Sequence, residues 1–205
     1  MEGSQQPQNT TASNKKGLSA SSCVYTSCYC EENVWKLCER IRDEQIDQLS
    51  EYYAVFISNA TRQVPLWMQK QSRHPLTPVV WDYHVILVRK CPDGESYVYD
   101  LDCILAFPCH LSDYASQVLR SNKGLKKQFH RKFRVVPAAV FLNTFASDRS
   151  HMKKPNGEWI QEPPDYPAIR TADDTMNLED FIDMNPEFGE GQVKDLNFFL
   201  TMFAM

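Results

Sequence analysis

The strongest constraint on the fold is a pair of β-rich runs, Val79 to Val88 and Ser96 to Ile104, that flank the turn signal Cys91-Pro92-Asp93-Gly94-Glu95. Two such runs fold back on each other as an antiparallel hairpin. Alternate residues of a strand share a face, so the runs sort by parity. Odd positions collect Val79, Trp81, Tyr83, Val85 and Leu87 with Tyr97, Tyr99, Leu101 and Cys103, a continuous apolar face. Even positions collect Asp82, His84, Asp100 and Asp102 beside Val80, Ile86, Val98 and Ile104. A loop centred on Asp93 sets Asp102 opposite His84 and Asp100 opposite Ile86, diagonal to the histidine. A tight two-residue Asp93-Gly94 turn would shift the register by one and mix apolar with ionisable positions on both faces, so it is rejected.

A histidine sharing a face with carboxylates is half of a nucleophilic site, and the other half lies upstream in Cys28-Tyr29-Cys30-Glu31-Glu32-Asn33-Val34-Trp35. From Glu31 onward Val34, Trp35, Leu37, Cys38 and Ile41 fall at helical spacing, and Cys30 extends the same face one turn toward the N-terminus. Position therefore favours Cys30 over Cys28 as a thiol at a helix mouth, facing the core and able to pack against the histidine face. A helix N-terminus and an adjacent imidazolium both favour a thiolate. In this arrangement His84 takes the thiol proton and returns it to a leaving amine, while Asp100 or the directly opposed Asp102 orients the imidazole. The backbone N–H of Cys30, with a second donor, holds the developing oxyanion. The expected chemistry is acyl transfer from an amide through a thioester.

The remainder of the chain narrows the classes. With 205 residues, 42% hydrophobic and 23% charged, it has the makings of one domain with a substantial core. A net charge of −4 and one short basic run, Lys126 to Arg134, argue against nucleic acid as a partner. No segment approaches the roughly 20 apolar residues of a bilayer span, and the first residues lack a signal peptide's apolar run, so no membrane partner and an intracellular protein are expected. Seven cysteines, an odd number without a C-x-x-C pair, point to reduced thiols rather than a disulfide framework or a zinc site built from Cys23, Cys28, Cys30 and Cys38. His151 is a rival base at a loop entrance; His74, His110 and His130 fall on the surface. Residues 1 to 20, poor in large apolar side chains, are expected to be a disordered tail to a single domain over 21–205. Further expected elements are a strand over 52–58, an edge strand at Gln63 to Trp67 and a short strand at 133–136. A helix over 138–145, a loop over 153–169, a helix capped by Asn177 and a last helix over 196–203 complete the reading.

Five separated stretches in fixed order carry a resemblance: Ser27-Cys28-Tyr29-Cys30-Glu31-Glu32-Asn33, Trp81-Asp82-Tyr83-His84, Tyr99-Asp100-Leu101-Asp102, Lys132-Phe133-Arg134-Val135 and Phe145-Ala146-Ser147-Asp148-Arg149-Ser150-His151-Met152. In these the chain closely resembles the protein N-terminal glutamine amidohydrolase family, from about residue 21 to the C-terminal region. The resemblance implies a monomeric single-domain α/β sandwich, a largely antiparallel sheet covered by helices, with a papain-like or transglutaminase-like triad in the order Cys30, His84, Asp100. It implies deamidation of N-terminal Gln to Glu with release of ammonia, on proteins and peptides with a free N-terminal Gln, feeding the arginylation branch of the N-degron pathway. No cofactor and no metal are implied, and the expected location is cytoplasmic and nuclear. For the substrate's α-ammonium the candidate acceptors are Asp82 and Asp148; Ser27, Tyr29 and Trp81 are candidates to shape the glutamine pocket. A cysteine peptidase or transglutaminase with the same triad, and a non-catalytic binding module, are the competing classes.

Overall fold

The computed structural model describes residues 18–204; the greater part of the expected tail, residues 1–17, lies outside them. Helix α1 (Cys30–Gln45) is followed by strand β1 (Tyr52–Ser58), the short ribbon strands β2 (Val64–Leu66) and β3 (Val79–Trp81), then β4 (His84–Lys90), β5 (Ser96–Tyr99) and β6 (Cys109–His110). Helix α2 (Leu111–Tyr114) runs on into a π-helical turn over Ala115–Leu119, and β7 (Lys132–Pro137) leads directly into α3 (Ala138–Thr144). The chain closes with α4 (Leu178–Ile182), β8 (Gln192–Asp195) and α5 (Leu196–Phe203). Six strands form one sheet in the order β6-β5-β4-β1-β7-β8, every neighbouring pair antiparallel. The molecule is thus an α/β domain with a largely antiparallel sheet and helices on both faces.

The central strands explain the layering. Strand β1, Tyr-Tyr-Ala-Val-Phe-Ile-Ser, has almost no polar alternation, the pattern of a strand covered on both sides. Ala54, Phe56, Val85 and Leu87 face α1, α3 and α4 in one core, among Val34, Leu37, Phe141 and Phe181. Val55, Ile57, Ile86 and Val88 face α2, its π turn and α5 in the other, among Tyr114, Val118, Phe199 and Phe203. The expected hairpin with one apolar and one ionisable face is therefore corrected: both faces are buried, and α1 packs on the odd face, opposite in parity to His84.

The hairpin register is the expected one, Leu87 against Tyr99 through Lys90 against Ser96. Its strands are shorter than expected. The run from Val79 to Val88 breaks at Asp82, whose Oδ1 accepts the Tyr83 N–H at 2.9 Å; β3 pairs instead with β2, with Pro65 in a two-stranded ribbon. On the other arm the chain turns after Tyr99, because Asp100 Oδ1 accepts the Asp102 N–H at 2.9 Å. Asp102 is consequently not laddered opposite His84. Asn177 also differs from expectation. Its side chain does not cap α4 but holds Ala146 N–H and Thr144 C=O at the end of α3.

Strand β8 went unexpected because Gln-Val-Lys-Asp carries little β pattern. It pairs with β7 through Gln192 and Val135, reached after Gly191 at φ 80°. A Cβ on Gly191 would stand 2.3 Å from the Val135 carbonyl oxygen, so only glycine lets the strands close there. Among the described residues no helix is long and apolar enough to cross a membrane.

Phe56 is the hub of the first core, with ring centroids 5.6 Å from Phe141, 6.4 Å from Phe145 and 5.2 Å from Phe181. Its truncation removes a fully buried ring from between two layers. Phe56→Ala should cost about 3–5 kcal/mol in denaturant unfolding, while an alanine at exposed Phe198 should cost far less.

Candidate active site

The mouth of α1 is built from three consecutive polar residues that are all buried, each tied to a different part of the chain. Asn33 clasps the preceding loop, accepting the Thr26 N–H and donating to the Thr26 carbonyl, both at 2.8 Å. Glu32 takes a bidentate pair from Arg149, Nε at 2.9 Å and Nη2 at 2.8 Å, and Arg149 also donates to the Pro164 carbonyl. Glu31 accepts the Tyr83 hydroxyl at 3.0 Å. Carboxylates in the first turn also suit the positive end of the helix. These contacts hold Cys30 as the first residue of α1, after a left-handed Cys28 at φ 67°.

His84 opens β4, three residues beyond Leu87, the last position of β4 that β5 reaches. The end of β5 therefore delivers Asp100 to it. His84 Nε2 lies 3.0 Å from Asp100 Oδ1, with both side chains almost fully buried. A carboxylate only accepts, so Nε2 carries the proton and Nδ1 presents a lone pair. That Nδ1 is buried and has no hydrogen-bond partner among the described residues. Trp81 stacks on the imidazole at 5.2 Å and 19°, fixing its plane. Asp100 is itself held, by the Tyr114 hydroxyl at 2.8 Å and the Asp102 N–H.

Burial opposes ionisation of both members of this pair, yet their mutual attraction wins. Burial alone would lower His84, but the charge and hydrogen bond of Asp100, with Asp102 and Glu31 beyond, raise it above its ordinary 6.5. Burial would raise Asp100, but His84, the Asp102 N–H and Tyr114 bring it below the ordinary carboxylate range. Cys30 behaves differently from expectation. Burial, followed by the carboxylates of Glu31 and Asp102, pushes the thiol well above its ordinary value, against a lowering contribution from the Val85 backbone.

A cavity of about 310 Å³ opens on these groups, lined by Cys28, Cys30, Trp81, Asp82, Asp102 and His151 together with the apolar Met152, Ile160, Leu178 and Ile182. Of the sequence-predicted residues, Cys30, Trp81 and Asp82 face this cavity, and the His84–Asp100 pair joins it through Trp81. Ser27, Tyr29 and Asp148 do not line it. Ser27 is half-buried with Oγ 3.7 Å from the Cys28 sulfur, and Tyr29 is fully buried with its hydroxyl on the Gln161 carbonyl. Asp148 is exposed and accepts the Ser150 N–H. Asp102 approaches the histidine without replacing Asp100, its Oδ1 taken by the Tyr25 hydroxyl at 2.6 Å. The donor atoms of His84, Asp100 and Asp102 lie within 4.8 Å of one another, a possible cation set, but each already has a protein partner.

Sequence reasoning missed Glu31, Glu32, Arg149, Tyr114 and Tyr25. Only the first two carried a signal, a pair of acids wedged between a core cysteine and a core valine.

These motifs can be compared with known proteins. A family model described as N-terminal glutamine amidase matches residues 25–203. The chain belongs to this family. It is 51% identical over 187 residues to the protein N-terminal glutamine amidohydrolase of Danio rerio, covering 91% of this chain and 92% of that one. It is 50% identical to the proteins of the same name from Bos taurus and Homo sapiens, covering 89% of this chain and 87% and 88% of theirs. The matched region of the N-terminal glutamine amidase family includes the α1 mouth, the His84–Asp100 pair and Arg149.

A thiol held protonated by burial makes a kinetic prediction. Iodoacetamide labelling of Cys30, followed by peptide mapping, should accelerate with rising pH through and beyond the ordinary thiol range. A rate already at its plateau near pH 6 would reveal a standing thiolate–imidazolium pair and contradict this electrostatic reading.

Proposed function

We propose that this chain deamidates the side chain of an N-terminal glutamine to glutamate, releasing ammonia, with Cys30 as nucleophile, His84 as base and Asp100 as its orienting carboxylate. The observation that carries the reading is the buried His84, with Nε2 on Asp100 and Nδ1 without a hydrogen-bond partner among the described residues, stacked behind Trp81 in the wall of a cavity that Cys30 also lines, in a chain of the N-terminal glutamine amidase family.

The steps follow from these groups. As the sulfur attacks the glutamine side-chain carbonyl carbon, the thiol proton moves to His84 Nδ1 and the carbonyl oxygen gains charge. The Cys30 N–H, an unsatisfied donor of the first helical turn, faces that charge. The indole N–H of the cavity-lining Trp81, buried without a hydrogen-bond partner among the described residues, is the second donor this reading assigns. Collapse breaks the carbon–nitrogen bond, the imidazolium proton goes to the departing nitrogen, and ammonia leaves a thioester. His84 then takes a proton from water, which attacks the thioester and returns the free thiol and a glutamate side chain. Asp100 stabilises the imidazolium throughout and stays ionised. The triad order and the layered α/β domain fit a papain-like or transglutaminase-like core. Carried with the reading are a single catalytic domain over 21–205 behind an N-terminal tail, and a monomer acting in cytoplasm and nucleus. An N-terminal Glu product would enter the arginylation branch of the N-degron pathway.

Mass spectrometry of a Gln-initiated peptide after incubation should show the Gln-to-Glu mass change and ammonia, with an intact backbone. A cleaved backbone would make the protein a peptidase, and incorporation of an added primary amine would make it a transglutaminase. The base must be neutral, so kcat/KM should rise with pH along a limb placed above 6.5 by the raised His84. Asp100→Asn removes the charge that raises His84 and leaves burial to lower it. The limb should then move to lower pH while the rate falls by roughly two to four orders of magnitude.

A further inference from the structure

The mechanism above makes no use of Glu31. Glu31 is fully buried beside the nucleophile, with Oε2 3.6 Å from the Cys30 sulfur and accepting the Tyr83 hydroxyl. Its other oxygen, Oε1, has no hydrogen-bond partner among the described residues. His151 Nε2 lies 3.6 Å from Oε1, within ion-pair reach but beyond a hydrogen bond, and neither His151 ring nitrogen has a hydrogen-bond partner among the described residues. Glu31 does not itself line the cavity; it lies directly behind the wall that Cys30, Tyr83 and His151 form, in contact with all three. Leaving a buried carboxylate oxygen unpaired is costly, and a cation with several N–H donors would satisfy it. An ammonium reaching past this wall could donate to Glu31 Oε1, beside the His151 ring.

The geometry points to Glu31, with His151, as the acceptor of the substrate's α-ammonium, which makes the free amino terminus the handle that sets glutamine against the thiol. This rests on the deamidase reading and deepens it. In an extended glutaminyl residue four bonds, or roughly 5 Å, separate the α-nitrogen from the side-chain carbonyl carbon. An ammonium about 2.8 Å from Oε1 and a carbonyl carbon about 3–3.5 Å from the sulfur can belong to one residue, since the sulfur stands 3.6 Å from Oε2 of the same carboxylate. Asparagine, one methylene shorter, would hold its carboxamide back from the sulfur. Of the acids first suggested by the sequence, Asp82 lines the cavity but is exposed to solvent and has Oδ1 on the Tyr83 N–H, which makes it the rival the test must include, and Asp148 does not line the cavity. Asp102 holds Tyr25 and bears on His84. A bound ammonium would also offset a charge that keeps the Cys30 thiol protonated, so the correct terminus would activate its own nucleophile.

The test compares a Gln-initiated peptide with its desamino analogue, in which hydrogen replaces the α-ammonium, and reads the ratio of their kcat/KM values. Wild-type protein should favour the free amine on the order of a hundredfold or more. Its KM should climb above about pH 8 as the ammonium loses its proton. In Glu31→Gln the ratio should fall to within about threefold of one and the alkaline rise in KM should vanish. His151→Asn should lower the ratio less. Should Glu31→Gln fold poorly by circular dichroism, Glu31→Asp, with its carboxylate drawn back, should still lower the ratio at least tenfold. Equal losses on both peptides with the ratio retained, or a collapse in Asp82→Asn instead, would overturn the assignment. Binding of both peptides to Cys30→Ala protein by calorimetry reads the same ratio without turnover. Failure of the deamidase reading would show separately, as wild-type protein that releases no ammonia from either peptide.

Discussion

The candidate site depends on a mismatch in strand length. Strand β4 spans seven residues and β5 four, so the ladder between them stops at Leu87 and Tyr99 while β4 continues on β1 to His84. Had β5 continued, Asp100 would have been fixed as a ladder residue opposite Ile86. Instead its carboxylate accepts the Asp102 N–H, the chain turns, and the same oxygen meets the His84 imidazole. One aspartate therefore ends a strand and orients a base. The hydrogen bond sits in a dry setting, where removing either partner leaves the other buried and unpaired.

The second requirement is that a helix start point at this strand end, and it is met with polar rather than apolar contacts. Glu31, Glu32 and Asn33 bind Tyr83, Arg149 and Thr26, three separate segments gathered at one turn. The cost is electrostatic. Burial first, and then the neighbouring acids, favour the protonated thiol over the thiolate, a setting that disfavours adventitious oxidation and alkylation.

Much of this was legible in the residues, for reasons that can be named. The hairpin register followed from parity, because a slip of one residue would have turned Leu87 and Val88 to the wrong layers. The helix mouth followed from the spacing of Cys30, Val34, Leu37 and Ile41. Strand ends were not legible: Asp82 and Asp100 stop β3 and β5 with side-chain hydrogen bonds to nearby N–H groups, which periodicity does not register. Parity also suggested that α1 covers the histidine face, whereas the helix covers the opposite face and Cys30 meets the site at the strand end. The partners of Glu31 and Glu32 are 52 and 117 residues away in sequence, so their burial could not be read locally. Tyr83 and Tyr114 are core residues whose hydroxyls also hold the carboxylates of Glu31 and Asp100, a second role that apolar patterning does not register.

The central claim is that Asp100 fixes His84 with its proton on Nε2, leaving Nδ1 as the base. Nitrogen-15 NMR of the protein labelled in histidine tests it most directly, at a pH where His84 is neutral. The account predicts a protonated, pyrrole-like Nε2 and an unprotonated, pyridine-like Nδ1, with this tautomer preference lost in Asp100→Asn. A His84 protonated on Nδ1, or unchanged by the substitution, would contradict it.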